Sequence, residues 1–101
     1  MFEFLKDTYN YEQRKIVKEF TNGLGISTAY TSDEGYETAL LDTNGVHPVE
    51  RYATRELAVE GHKKWVKFSE GNENKVIELG GLAGFVKDKE IVLLRNYEHK
   101  I

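Results

Sequence analysis

The sequence predicts an α+β fold: a mostly antiparallel sheet built from hairpins, with one main amphipathic helix packed on one face. Three features carry this expectation. Asn-Gly dipeptides at 22–23 and 44–45 each sit between strand-like runs. Thr54 to Ser69 gathers its apolar residues on one side of a helical wheel. Lys75–Leu79 and Glu90–Arg95 are short and rich in β-branched or apolar residues. At 101 residues, one domain spanning 1–101 and one core are expected.

Arg14–Phe20 comes first in chain order. Ile16 and Phe20, four apart among good helix formers, suit a helix, whereas the alternation of Ile16, Lys18 and Phe20 suits a strand. The strand is favoured, because Asn22-Gly23 then turns it into Ile26–Thr31. Asn44-Gly45 lies between Tyr36–Thr43 and Val46–Tyr52, and Asn-Gly accepts positive φ at both centres of a two-residue type I′ turn. A turn centred there sets Leu40 opposite Val49 and Thr38 opposite Arg51 on one face. Ala39, Leu41 and Tyr52 then occupy the other. Pro48 has no N–H for a ladder, so its strand is an edge or is bulged.

The helix follows. Thr54 is a suitable N-cap, Glu56 a favourable first-turn acid, and Gly71-Asn72 a stop. Leu57, Ala58, Val59, Gly61, His62, Trp65, Val66 and Phe68 share half the wheel, with Glu56, Glu60, Lys63, Lys64, Lys67 and Glu70 opposite. Trp65 is expected to be the central core residue of this face. Glu90–Arg95 is apolar enough to predict a central strand. Gly80–Phe85 and a turn near Asp88-Lys89 separate it from Lys75–Leu79.

Composition narrows the chemistry. Without cysteine there is no disulfide, thiolate metal site or thiol nucleophile, which suits the cytoplasm. Net charge is −3, with no basic field for a phosphate backbone, so nucleic acid is not expected as a partner. Met1–Asp7 flanks a very short apolar run with charges and is expected to be neither signal peptide nor membrane span.

Candidate sites each have a plain structural reading. His62 on the apolar helix face suits an imidazole tied to a backbone carbonyl or a carboxylate better than a ligand, since no histidine or carboxylate sits at i+4. His47 and His99 read as surface residues. Ser27, Ser32 and Ser69 lack a nucleophile setting. Gly80-Gly81-Leu82-Ala83-Gly84 lacks the Lys-Ser/Thr ending of a phosphate loop and reads as a bend where backbones approach. No catalytic residue, cofactor or metal is therefore expected. Residues 33–50 hold five acids and no Lys or Arg. Asp33, Glu34, Tyr36, Asp42 and Tyr52, around a protruding acidic hairpin, are the candidate protein-binding residues, steering by charge and anchoring by ring. The plain alternative is that these acids keep an edge strand soluble.

Tyr36-Glu37-Thr38-Ala39, Val49-Glu50-Arg51-Tyr52 and Glu60-Gly61-His62 with Lys64-Trp65 resemble a pattern in small proteins of phages and prophages. There a YETA strand, a VExY strand and an EGHxKW helix follow one another. The resemblance covers residues 36–66, and His47-Pro48 departs from the apolar or aromatic residues usual in that second strand. It implies a phage-encoded accessory protein in the cytoplasm of the infected or lysogenic cell and carries over no functional residue. The leading expectation is a non-enzymatic protein that binds a host or defence protein. The alternatives are a self-associating virion or assembly component, and a small nucleotide-binding module or enzyme using His62 or the 80–84 bend.

Overall fold

The computed structural model describes residues 15–32, 34–81 and 84–96. Strands β1 (Lys15–Thr21), β2 (Leu24–Thr31), β3 (Gly35–Asp42) and β4 (Gly45–Tyr52) form an antiparallel sheet in the order β1-β2-β3-β4. Helix α1 (Arg55–Glu70) packs against all four. Strands β5 (Lys75–Glu78) and β6 (Lys89–Val92) make a separate antiparallel pair beside β4. The α+β architecture predicted from the sequence is the one observed. No helix among the described residues is long and apolar enough to cross a membrane. Asp33, His99 and Arg14 lie outside the described residues, as do Leu82-Ala83 and the whole of 1–14.

The strand reading of the first segment holds. Asn22 and Gly23 adopt φ of 51° and 80°, the two positive values a type I′ turn demands, and Thr21 pairs with Leu24. The second hairpin differs from expectation. Asp42 pairs with Gly45, so the turn centres on Thr43-Asn44 and not on Asn44-Gly45. The cause is local: the Asn44 N–H donates to Asp42 Oδ1 at 2.8 Å, while Gly45, at φ 132°, opens the next strand. Leu40 therefore faces His47, not Val49. A bulge follows Pro48, because Ala39 pairs with Pro48 but Thr38 with Glu50. The extra residue, Val49, brings Glu50 and Tyr52 onto the helix side with Thr38, where the sequence had placed Tyr52 on the opposite face. Pro48 is thus both on the terminal strand and at a bulge, and its carbonyl accepts the Leu79 N–H at 2.8 Å.

Thr54 caps α1 by accepting the Leu57 N–H at 3.2 Å, and Gly71 ends it. The freed carbonyl of Ser69 accepts from Arg95 Nη1 at 2.6 Å and Asn22 Nδ2 at 3.2 Å, so the first turn and the chain beyond β6 both fasten the helix end. Ala58, Gly61, His62 and Ser69 are the buried helix residues. Trp65 is half-buried against the core cluster of Leu24, Ile26, Leu40, Val49, Val76 and Leu93. It flanks that core and is not its centre, because the small residues Ala58 and Gly61 take the line of closest approach. Leu57, expected inside, is 54% exposed. β6 is not central: it pairs only with β5 among the described residues, and its apolar run alternates between the core (Leu93) and solvent (Val92).

Candidate functional site

Two of the five residues proposed as a binding surface turn inward as ion-pair partners. Asp42 is 3% exposed, and its carboxylate accepts from the Leu94 N–H at 2.9 Å, the Asn44 N–H and His47 Nε2, both at 2.8 Å. Burial alone would raise its pKa, but these donors hold it below the usual carboxylate value. Asp42 is therefore no steering charge. Glu34 approaches Arg51 Nε at 3.5 Å, and Glu37 lies 3.0 Å from the same atom. Tyr36 stacks edge-on with Tyr30 at 4.9 Å. Tyr52 is half-buried, its hydroxyl 3.0 Å from Thr38 Oγ1 and 3.1 Å from Glu50 Oε1. The hairpin carries Asp42, Glu34 and Glu37 as fasteners, and Leu79, just past β5, bonds its outer edge at Pro48.

His47, expected at the surface, bridges the two sheets. Its Nε2 meets Asp42, and its Nδ1 makes a short contact with Glu78 on β5. A neutral ring would turn a lone pair onto one carboxylate, so the doubly protonated imidazolium fits. Both ring nitrogens are committed, which leaves neither free to ligate. Burial by itself lowers the His47 pKa, but the bonds to Glu78 and Asp42 raise it above 6.5 overall. A raised folded-state pKa means a contribution that is complete below the unfolded value and lost as pH rises through the folded one. The stability difference between wild type and His47→Gln, measured by urea unfolding, is expected to shrink upward from about pH 6.5. A difference that stays constant to alkaline pH would contradict the imidazolium.

Arg51 is the hub of a second cluster. Besides Glu34 and Glu37, its Nη2 donates to the Gly80 carbonyl at 2.8 Å, and the Gly80 N–H donates to Asp88 Oδ1 at 2.7 Å. Both backbone groups of Gly80 are thereby held. A Cβ there would lie 1.8 Å from the Val86 carbonyl oxygen, so the close approach read from the glycines is real. Gly81 and Val86 exchange two backbone bonds of 3.0 Å, and Gly84, at φ 91°, turns the loop between them. Phe85 stands at its tip, 89% exposed. The expected turn at Asp88-Lys89 falls instead at Gly84-Phe85.

The third cluster is buried between α1 and the sheet. His62, 3% exposed, places Nδ1 2.7 Å from Thr28 Oγ1, which lies 2.6 Å from Thr38 Oγ1, which in turn meets the Tyr52 hydroxyl. Nε2 faces Glu19 Oε1 at 3.4 Å without the alignment of a full hydrogen bond. Desolvation lowers the His62 pKa and Glu19 offsets part of that. Burial and the nearby Glu50 charge push Tyr52 up to about 12. Glu50 also accepts from Trp65 Nε1 at 2.8 Å and Lys64 Nζ at 2.6 Å. Tyr52, Glu50 and Lys64 line a groove of about 410 Å³ with Leu57, Gly61 and Ala53. The expected hydrogen-bonded histidine is present, but its partner is a hydroxyl. Thr28 and Thr38 read in sequence as ordinary strand residues; only their cross-strand pairing makes them a unit.

Comparison with protein-family models, with curated proteins and with solved structures finds no match to this chain.

Proposed function

We propose that this chain is a phage-type accessory protein that acts in the cytoplasm of the infected or lysogenic cell by binding another protein, without catalytic chemistry of its own. The observation that carries the reading is Phe85, an almost fully exposed ring on a turn whose base is fastened by Arg51 and Asp88. Single exposed apolar residues are ordinary, but clustering is not. Among the described residues, five of the eight large hydrophobics that are exposed, Ile77, Phe85, Val86, Val92 and Leu94, fall between residues 77 and 94. Ile77 and Val92 share the outer face of the β5–β6 pair by register. A ring held out from a fastened base loses little entropy on docking, which is how aromatic anchors come to dominate interfaces. The fitting partner offers an apolar pocket for Phe85. The acids of the β3–β4 region serve this surface indirectly, because Glu34 and Glu37 hold the arginine that holds the loop base.

The test is Phe85→Asp. Its stability is expected to stay within about 0.5 kcal/mol of wild type, as for an exposed position. Affinity for a partner identified by co-purification and then measured with pure components is expected to fall at least about tenfold. A purified partner that binds the variant as tightly as wild type would remove this surface. Wild-type chain that captures only further copies of itself, and loses this with Phe85→Asp, would favour the assembly role.

A further inference from the structure

The hydroxyl groups between His62 and Tyr52 do more than satisfy one another. Facing His62 from β1 is Glu19, and from β2 Thr28. Thr38 of β3 stands one bond further on. At the far end are Tyr52 and Glu50 of β4, with Lys64 of α1 on Glu50. These groups run through the helix–sheet interface and end at the groove beside Tyr52.

Each hydroxyl has one proton, so the chain has a direction. Neutral His62 favours its proton on Nε2, because that nitrogen faces the Glu19 carboxylate and a lone pair there would be repelled. Nδ1 is then an acceptor. Thr28 donates to it, Thr38 donates to Thr28, and Tyr52 donates to Thr38. In this state Glu50 receives Lys64 and Trp65 but not the Tyr52 proton.

We propose that His62 is a buried proton-accepting site that exchanges its proton with the groove through Tyr52, Thr38 and Thr28. The vacant nitrogen is Nδ1, and among the described residues Thr28 is its one hydrogen-bond partner. A proton from solvent attaches to the Tyr52 oxygen at the groove. The original Tyr52 proton passes to Thr38, that of Thr38 to Thr28, and that of Thr28 to Nδ1. One proton enters and His62 gains one positive charge. No bond between heavy atoms changes, but every donor in the chain now points the other way. Thr38 donates to Tyr52, and Tyr52 donates to Glu50. Protonation in the core is thereby read out at the groove as a new donor on Glu50, beside Lys64 and Trp65. The lowered pKa of His62 keeps the first state dominant at neutral pH and assigns the second to acid.

The test is by NMR on the full chain. At neutral pH the ¹⁵N shifts of His62 are expected to show the proton on Nε2. On acidification, His62, the Tyr52 ring carbon bearing oxygen and the Trp65 indole N–H are expected to move with one shared midpoint. In Thr38→Val the relay is cut, so Tyr52 and Trp65 should cease to follow His62. In Thr38→Ser, which keeps the hydroxyl, they should still follow. A neutral His62 protonated on Nδ1 overturns the proposal, as does a His62 that stays neutral down to acid unfolding. Tyr52 and Trp65 tracking His62 in Thr38→Val overturns it too. The first two readings need only the wild-type protein.

Discussion

Asp42→Ala is expected to lose about 3–5 kcal/mol of folding stability, the range for removing one member of a buried charged pair. The carboxylate is nearly inaccessible and serves three partners at once. It accepts the Asn44 N–H that fixes the β3–β4 turn, the Leu94 N–H beyond β6, and His47, which also reaches Glu78 on β5. Its loss leaves the Asn44 and Leu94 amides without this acceptor and an imidazolium with one carboxylate where it had two, so the two sheets lose their shared anchor. A domain of this size has a total stability of roughly 5–15 kcal/mol, so the melting temperature should fall by roughly 15 °C or more. Asp42→Asn retains an acceptor oxygen and should lose less. Chemical unfolding of the two variants beside wild type checks both statements. An Asp42→Ala protein as stable as wild type would mean that His47 and Leu94 are held by something else.

Asp42 also shows why the fold was legible in sequence while the site was not. Local signals transferred well. Asn22-Gly23 is a turn whose two residues take the required φ, and Thr54 with the helical periodicity that follows it fixes α1 almost to the residue. The second Asn-Gly failed because a side chain outside the dipeptide competed for it. Asp42 captures the Asn44 N–H and moves the turn one residue earlier, and the bulge at Val49 then shifts the pairing again. Those two steps decide which face Glu50 and Tyr52 occupy, and no period-2 pattern records them. The acids of residues 33–50 looked like a free surface because their partners are distant or unassuming. Arg51 and His47 look in sequence like strand or surface residues, and Leu94 lies 52 positions from Asp42. The apolarity of Glu90–Arg95 predicts a central strand, but centrality requires a strand on each side, which is a tertiary fact.

The histidines illustrate the same division. Both were visible in the sequence, and the buried position of His62 follows from its place on the helix wheel. Their opposite titration does not. His47 is charged by two carboxylates, whereas His62 is kept neutral by burial. A lowered folded-state pKa gives a contribution complete above the unfolded value and lost as pH falls through the folded one. His47 therefore weakens the fold on the alkaline side of pH 6.5 and His62 on the acid side.

Gly61→Ala is expected to destabilise the domain by about 2–4 kcal/mol, against the direction of helix propensity. In an exposed helix interior, alanine is favoured over glycine by roughly 0.5–1 kcal/mol. Here the added Cβ would sit 2.2 Å from the ring and hydroxyl of Tyr52, which packs directly against the glycine. The ring must leave, and with it go the hydrogen bond its hydroxyl donates to Thr38 and the hydroxyl's place 3.1 Å from Glu50. Thr38 is fully buried, so its oxygen is left with Thr28 alone. Overpacking of about 1–3 kcal/mol and a lost buried hydrogen bond together outweigh the helical gain. The cause can be isolated by a double-mutant cycle with Tyr52→Ala. Without the ring the obstacle is gone, and Gly61→Ala should become stabilising by up to about 1 kcal/mol, its propensity value. That reversal of sign between the two backgrounds, read from urea unfolding of four proteins, is the expected result. Equal destabilisation in both would show that Gly61 is required by the backbone or by another neighbour, and not by the ring of Tyr52.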